Sequence, residues 1–82
     1  MEDSEIFKKL EKIGNGFFDW EISHTNKKIT EETNPRIDFG MDSLDRYELT
    51  YLIEEEFKIS LNEGDPRLLE IGTMREMIDY LK

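Results

Sequence analysis

Apolar residues near the start of the chain recur at the spacing of an amphipathic helix. Five of them follow one another at intervals of four, three, four and three positions: Ile6, Leu10, Ile13, Phe17 and Trp20. These intervals place them on one face of a helix over about residues 4–20. Gly14 and Gly16 each cost such a helix about 1 kcal/mol relative to alanine, so a break near Asn15 stays open as an alternative.

Residues 21–41 lose this periodicity and collect Ser, Thr, Asn and Lys, followed by a proline and a glycine. This composition predicts a long connection rather than a helix or a strand. Within the connection, the pair Asn34-Pro35 is typical of a turn. We expect Ile29 and Ile37 to attach the connection to the core.

A second helix is predicted to begin beside Ser43. Asp42 suits the N-cap position, and Asp45 lies near the positive end of the helix dipole. The expected buried face has residues at i, i+4 and i+8 with one further leucine alongside them: Leu49, Ile53, Phe57 and Leu52. The helix should end near Phe57 or Lys58.

A short third helix is predicted after residue 65. Asp65 and Pro66 combine an N-cap residue with a proline at the first helical position, which favours a helix through about Glu70. Leu68 and Leu69 should be its inward residues.

The last predicted helix begins with a capping box, in which Glu76 follows Thr73 by three residues. Its apolar stripe has the spacing i, i+3, i+4 and i+7: Met74, Met77, Ile78 and Leu81. Because no strand pattern is found, the expected fold class is all-α. We expect a four-helix bundle with three longer helices, one short helix and a long loop between helices one and two. Residues 1–82 should form a single domain.

Composition excludes several function classes. The 82 residues include 37% hydrophobic residues but no apolar run near the roughly 18 residues that span a bilayer, so no membrane insertion is expected. Eleven Lys and Arg against twenty Asp and Glu give a formal charge of -9, which disfavours nucleic acid and favours basic partners. The absence of cysteine excludes disulfides and thiolate metal sites. The first residues do not resemble a secretory signal, so we expect a cytoplasmic protein, and a monomer.

Calcium binding by an EF-hand loop is also disfavoured. A loop starting at Asp38 needs a ligand at position three, a glycine at position six and a glutamate at position twelve. Those positions hold Gly40, Ser43 and Leu49. No metal site is therefore expected.

The most informative segment is DFGMDSLD at residues 38–45, followed by YEL at residues 47–49 and EEEF at residues 54–57. This segment resembles the acyl carrier protein family, which has an Asp-Ser-Leu motif after a glycine at the start of its second helix. An acidic residue, a Glu-Leu pair and an acidic cluster before a Phe commonly follow in that family. Phe39 departs from the pattern, since the family more often has leucine there. The resemblance implies a bundle of acyl-carrier type, and a carrier rather than an enzyme.

The resemblance gives Ser43 a specific role. It implies that Ser43 receives a 4'-phosphopantetheine arm from coenzyme A through a Mg-dependent phosphopantetheinyl transferase, with release of adenosine 3',5'-bisphosphate. The position suits a phosphodiester, because the first turn of a helix offers free N–H groups to an anion. The alternative is that Ser43 only caps the helix. A hydrolytic serine is disfavoured, because no pattern ties the only histidine, His24, to Ser43.

The second predicted helix also carries a candidate docking face. Seven acidic residues and one arginine between Asp38 and Phe57 give this segment a local charge of -6. Such a run is commonly only a solvated face, but in the family partners contact this helix with Arg and Lys. The resemblance implies docking contacts at four acidic residues: Asp42, Asp45, Glu48 and Glu55. An apolar line at i, i+3 and i+7 suggests a further contact patch, unless one tyrosine folds over the bundle: Leu44, Tyr47 and Tyr51.

The expected function is to carry acyl intermediates as thioesters for fatty-acid, polyketide or related lipid synthesis. Expected partners are the transferase and acyl-transferring and chain-extending enzymes with basic docking surfaces. The helical pattern and the resemblance together suggest five residues that line a site for the acyl chain: Leu49, Ile53, Leu61, Leu68 and Ile71. Two alternatives stay open, namely an aminoacyl (D-alanyl-type) or peptidyl carrier with the same arm, and an unmodified acidic helical adaptor.

Overall fold

The computed structural model describes residues 2–62 and 64–82, and every regular element in that part of the chain is a helix. The six helices, in chain order, are α1 (Asp3–Phe17), α2 (Asp19–Thr25), α3 (Pro35–Phe39), α4 (Ser43–Phe57), α5 (Pro66–Leu69) and α6 (Met74–Leu81). The predicted all-α fold class is confirmed. Of the two unpredicted helices, α3 lies within residues 21–41, which were predicted to be a connection, and α2 extends into that segment from Asp19.

The bundle is built around α1, which packs against both α4 and α6, while α2 contacts α1 and α5 contacts α6. Its buried core draws one or more side chains from most of the helices: Ile6, Leu10, Phe18, Ile29, Phe39, Leu49, Ile53, Met74 and Ile78. Removing this apolar surface from water is the main stabilising term for a domain of this size. No helix in the described residues is long and apolar enough to cross a membrane.

The first helix ends earlier than its apolar spacing predicted. It runs through Asn15 without a break and stops at Phe17, and Phe18 leaves helical geometry before α2 begins. The Phe18 side chain is only 2% exposed and stacks on Phe39 with ring centroids 5.0 Å apart. The turn therefore buries Phe18 in the core and leaves Trp20 outside at 65% exposure, which corrects the predicted stripe.

Gly14 has a packing role instead of breaking the helix. A Cβ atom at this position would lie 2.5 Å from Cδ1 of Ile29, so a larger residue would force the end of the Ile29 side chain to move. Ile29 is 5% exposed and attaches the long segment to α1, as predicted. The cost of a glycine within a helix is offset here by the burial of an isoleucine.

The helix α2 was not predicted because it has no apolar stripe. None of its residues is buried, and Ile22 is only half-buried. Trp20 and His24 stack at i and i+4 with ring centroids 3.9 Å apart, and His24 Nδ1 lies 2.7 Å from the Trp20 carbonyl oxygen. These local contacts on the helix surface do not produce a hydrophobic period in the sequence.

The helix α3 replaces the turn that was predicted at Asn34-Pro35. The Asn34 side chain accepts hydrogen bonds from the backbone N–H groups of Arg36 and Ile37, and Pro35 occupies the first helical position. Gly40 ends the helix in the left-handed region with φ of 68°. Because Pro35 and Phe39 face the core in so short a helix, Ile37 points outward at 73% exposure, contrary to its predicted anchoring role.

Residues 26–34 are fixed to the start of α6. The carbonyl of Thr33 accepts a hydrogen bond from the Met74 N–H at 2.9 Å, and the carbonyl of Glu31 accepts from the Arg75 N–H at 2.8 Å. The Arg75 guanidinium also bonds Glu31 at 2.9 Å and Asp3 at 3.0 Å. These contacts join α1, the long segment and α6, and so fix the path of the chain that leads to α3.

The predicted bounds of the last three helices are confirmed. Two leucines that were predicted to face the core are exposed: Leu52 is 38% exposed and Leu69 is 49% exposed. On α4 the core contact is made by Leu49 and Ile53, four residues apart, and Leu52 lies at the edge of that face. The single turn of α5 directs Leu68 inward, and its neighbour Leu69 therefore points away.

Candidate functional site

Ser43 is the first residue of α4 and lies between two aspartates that cap each other. The Asp42 side chain accepts a hydrogen bond from the Asp45 N–H at 2.9 Å, and the Asp45 side chain accepts from the Asp42 N–H at 3.3 Å. The Ser43 side chain is exposed and takes part in no hydrogen bond with the described residues. Its hydroxyl is therefore free to react, because Asp42 fills the N-cap position.

The chain turns sharply just before this site. The Met41 N–H donates to the Pro35 carbonyl at 3.2 Å, which closes the end of α3. Phe39 anchors this turn, because its ring stacks on Phe18 in the core and is 7% exposed. The position of Ser43 at the surface thus follows from burial of the aromatic residue four positions earlier.

A groove of about 270 Å³ lies beside Ser43. It runs between α3, the start of α4 and the segment around α5, and it is lined by Asn34, Arg36, Met41, Asp42, Ser43, Arg46, Leu69, Ile71 and Gly72. Two arginines and one aspartate give this lining a net charge of +1 in a chain whose formal charge is -9. The surface next to Ser43 thus differs in sign from most of the protein.

A second, more enclosed cavity of about 50 Å³ lies within the bundle. Four of the five residues predicted to line an acyl-chain site surround it, namely Leu49, Ile53, Leu68 and Ile71. Leu61 is not among the residues around it. Leu61 follows the end of α4, where its N–H donates to Glu54 at 3.0 Å and its side chain packs at the edge of the core.

The groove and the cavity share part of their lining. The residues common to both are Met41, Arg46, Ile71 and Gly72. The cavity wall is otherwise mostly apolar, and the hydroxyl of Thr50 is satisfied by donation to the Arg46 carbonyl at 2.8 Å. The groove beside Ser43 therefore borders the apolar cavity.

The predicted apolar contact patch is on the surface. Leu44 is 72% exposed, Tyr47 is 46% exposed and Tyr51 is 59% exposed, so neither tyrosine folds over the bundle. Both tyrosines line a shallow groove of about 430 Å³ together with Phe17 and Leu52. The patch therefore continues across α4 toward the end of α1.

The acidic residues of this region differ in how they are bound. Asp38 pairs with Lys27 at 3.5 Å and Glu56 pairs with Lys12 at 3.4 Å. Glu48 and Glu55, by contrast, form no salt bridge with any residue that the structure describes.

Glu55 acts on Tyr51, which lies four residues earlier on the same helix. The hydrogen bond to the Glu55 carboxylate, together with its negative charge, raises the pKa of the Tyr51 phenol above its ordinary value. The docking face predicted from the sequence therefore carries unpaired negative charge.

Sequence reasoning missed the basic part of the site. Arg36 and Arg46 line the groove with Ser43, but Arg36 lies on a helix that the pattern did not predict. Arg46 could have been found from its spacing, because a residue three positions after Ser43 lies on the same side of a helix. Among the described residues, no group of three or more His, Cys, Asp or Glu side chains is placed to hold a metal ion.

Comparisons with known proteins assign the chain to a family. A family described as "Phosphopantetheine attachment site" matches residues 21–81. The acyl carrier protein of Treponema denticola is 31% identical over 78 residues, which cover 95% of this chain and 92% of that protein. The acyl carrier protein of Borreliella burgdorferi is 30% identical over 82 residues, with 100% of this chain and 95% of that protein covered. A mitochondrial acyl carrier protein of Neurospora crassa is 30% identical over 81 residues, and the chain spans 57% of its length. The chain therefore belongs to the acyl carrier protein family, whose members carry a covalently attached 4'-phosphopantetheine.

Proposed function

We propose that this protein carries acyl intermediates as thioesters on a 4'-phosphopantetheine arm attached to Ser43 and presents them to partner enzymes. The observation that supports this most directly is the free, exposed Ser43 hydroxyl at the start of α4, beside a groove that borders an apolar cavity. When attached, the arm supplies a terminal thiol that forms the thioester. The groove has room and basic side chains for a phosphodiester, so the residues fit this group.

Ser43 is the acceptor in the attachment step. Its oxygen forms a bond to the phosphorus that bears the pantetheine, and adenosine 3',5'-bisphosphate leaves with the electrons of the broken bond. In this proposal the transferase takes the serine proton, because the two carboxylates beside Ser43 already accept the hydrogen bonds of the capping box. His24, the only histidine, lies on α2 and stacks on Trp20. The protein is thus a carrier whose chemistry is performed by its partners.

The apolar cavity is the proposed shelter for the acyl chain. Leu49, Ile53, Leu68 and Ile71 surround it, and burial in such surroundings stabilises each CH2 group by about 0.8 kcal/mol. Leu61, the fifth residue predicted for this site, packs at the edge of the core and does not line the cavity. Met41 and Met77 also line the cavity, and their unbranched side chains can adapt to different occupants.

Partner enzymes are proposed to dock on the outer face of α4. The acidic contacts in this proposal are Asp42, Asp45, Glu48 and Glu55, and the apolar contacts are Leu44, Tyr47 and Tyr51. Basic partners are favoured, because opposite charge accelerates encounter and exposed aromatic side chains supply contact area. The partners include a phosphopantetheinyl transferase and enzymes that handle acyl groups.

The proposed pathway is the synthesis of fatty acids or related lipids. The relatives are named acyl carrier proteins, which favours fatty-acid or related lipid synthesis. A cytoplasmic location, a monomeric state and a single domain over residues 1–82 stay predictions.

The test is intact-mass measurement after incubation with coenzyme A, Mg2+ and a phosphopantetheinyl transferase. We expect the purified protein to gain the mass of one arm, and then that of an acyl group when an acyl-coenzyme A is used instead. A protein that stays at its original mass, while a known carrier is modified in the same tube, would be the unmodified acidic adaptor.

A further inference from the structure

The groove beside Ser43 holds half of the arginines in a strongly acidic chain. The sequence has four arginines, Arg36, Arg46, Arg67 and Arg75, and the first two line this groove. The chain has a formal charge of -9, so two guanidinium groups beside Ser43 form a local positive region on an otherwise acidic protein.

The two pairs of arginines differ in whether they are already bound to carboxylates. Arg67 pairs with Asp65 at 3.1 Å, and Arg75 pairs with Asp3 at 3.0 Å. Arg36 and Arg46 form no salt bridge or side-chain hydrogen bond with any residue in the described ranges 2–62 and 64–82. The Arg46 guanidinium lies over the Tyr47 ring, with its carbon 5.2 Å from the ring centroid, and this contact does not use its N–H groups as hydrogen-bond donors to a carboxylate. The donors of both arginines are therefore available for an external anion.

Arg36 and Arg46 lie where they can bind a phosphate attached to Ser43. Arg46 follows Ser43 by three residues on α4, so the two side chains lie on the same side of the helix. Arg36 comes from α3 and borders the same groove. Asp42 also borders the groove, but its Oδ1 accepts a hydrogen bond from the Asp45 N–H at 2.9 Å. With two arginines and one aspartate, the lining keeps a net positive charge.

We propose that Arg36 and Arg46 bind the phosphodiester that joins the arm to Ser43. This inference rests on the proposed function and adds positioning residues to it. A guanidinium presents paired N–H donors that match two phosphate oxygens, which a lysine ammonium cannot do in the same way. Binding at this point holds the first part of the arm in the groove, and the shared residues Arg46 and Ile71 then lead toward the cavity.

Nuclear magnetic resonance of the holo-protein tests this directly, because the phosphodiester is its only phosphorus. We expect the Nε–H signals of Arg36 and Arg46 to shift between the apo-protein and the holo-protein. The Arg67 signal is the internal control and should not shift. In the holo-protein with both Arg36→Gln and Arg46→Gln, the 31P resonance should move away from its wild-type position, and added salt should move the wild-type resonance the same way.

Three matched variants sharpen the result. Arg67→Gln removes an equal charge outside the groove and should leave the 31P resonance in place. Arg36→Lys and Arg46→Lys keep the charge but lose the paired N–H donors of the guanidinium. Each should therefore give a 31P resonance between those of the wild type and the double glutamine variant. Circular dichroism checks that every variant keeps its helical content.

Two results would overturn the proposal. One is an attached arm whose 31P resonance is the same in the wild type and in the double glutamine variant. The other is the absence of any shift of the Arg36 and Arg46 Nε–H signals between the apo-protein and the holo-protein, since the two guanidinium groups would then not contact the phosphodiester. Failure of the wild-type protein to gain any arm would instead contradict the proposed function. The intact-mass measurement distinguishes this failure from failure of the arginine proposal.

Discussion

Asp42 and Asp45 accept hydrogen bonds from each other's backbone N–H groups across the first turn of α4. Ser43 lies between them and contributes no side chain to this capping box. The consequence is a separation of roles at the start of the helix: the aspartates stabilise it, and the serine between them is left free for the proposed attachment.

This separation predicts different effects of two neighbouring substitutions. Asp42→Ala should lower the free energy of unfolding by about 1 kcal/mol, because the Asp45 N–H loses its acceptor. Ser43→Ala should change it by less than about 0.5 kcal/mol, since an exposed hydroxyl is removed. Urea denaturation followed by circular dichroism measures both. Equal losses in the two variants would mean that Ser43 also caps the helix.

The docking face on α4 predicts a charge-dependent rate of modification. Glu48→Lys should lower the association rate with a basic transferase by about tenfold at low salt, because it reverses an exposed, unpaired charge. Helical content should not change. Stopped-flow or initial-rate loading measurements at several salt concentrations provide the readout.

The control for this experiment is Glu32→Lys, which makes the same charge change in an exposed residue outside α4. It should have a smaller effect, and raising the salt should bring Glu48→Lys close to the wild type. If both variants load at equal rates at low salt, the docking face does not include Glu48.

The starts of the second, third and last predicted helices could be foreseen because each has a strong N-cap. Asp42, Asp65 and Thr73 each mark a helix start by a hydrogen bond within a few residues, so their signal is local. The same local chemistry placed Ser43 at the start of α4.

The end of α1 could not be foreseen, because Phe17, Phe18 and Trp20 are all apolar and only Phe18 is fully buried. The choice of Phe18 depends on its stacking against Phe39, which lies 21 positions later in the sequence. Periodicity within one helix does not report such a contact. The helix α3 is a different case, since Asn34, Pro35 and Gly40 carry cap signals that were interpreted only as a turn.

The small cavity predicts how the acyl chain affects stability. A cavity of about 50 Å³ has room for only a few water molecules, so a long acyl chain has to move side chains apart. We expect the thermal midpoint of the acylated protein to rise with chain length, because each buried CH2 contributes up to about 0.8 kcal/mol. Differential scanning calorimetry on a series of acyl chains measures this.

A chain of equal length that ends in a carboxylate is the matched control for burial. It should give little stabilisation, because an unpaired charge is costly to remove from water. A thermal midpoint independent of chain length would place the acyl chain in solvent.

The capping box of α6 predicts a pH dependence. Hydrogen bonds from the backbone N–H groups of Thr73 and Gly72 lower the pKa of Glu76 below its ordinary value of 4.5. A carboxyl with a lowered pKa stabilises the folded protein above its ordinary pKa, and this stabilisation is lost as the pH falls through the folded value. The wild type should therefore exceed Glu76→Gln in stability at pH 7, and the difference should shrink below about pH 4.5.

Urea unfolding of both proteins across this pH range gives the comparison. Using the difference between them removes the contribution of the other carboxylates, which titrate in both. A difference that stays constant from neutral to acidic pH would show that Glu76 acts through its shape and not through its charge.

The most direct test of the central claim is to locate the arm by fragmentation mass spectrometry after loading with coenzyme A. The account predicts one arm on Ser43 in the wild type, no arm on Ser43→Ala, and normal loading of Ser23→Ala, which removes an exposed serine from α2. An arm found on any other residue, or on the folded Ser43→Ala variant, would contradict it.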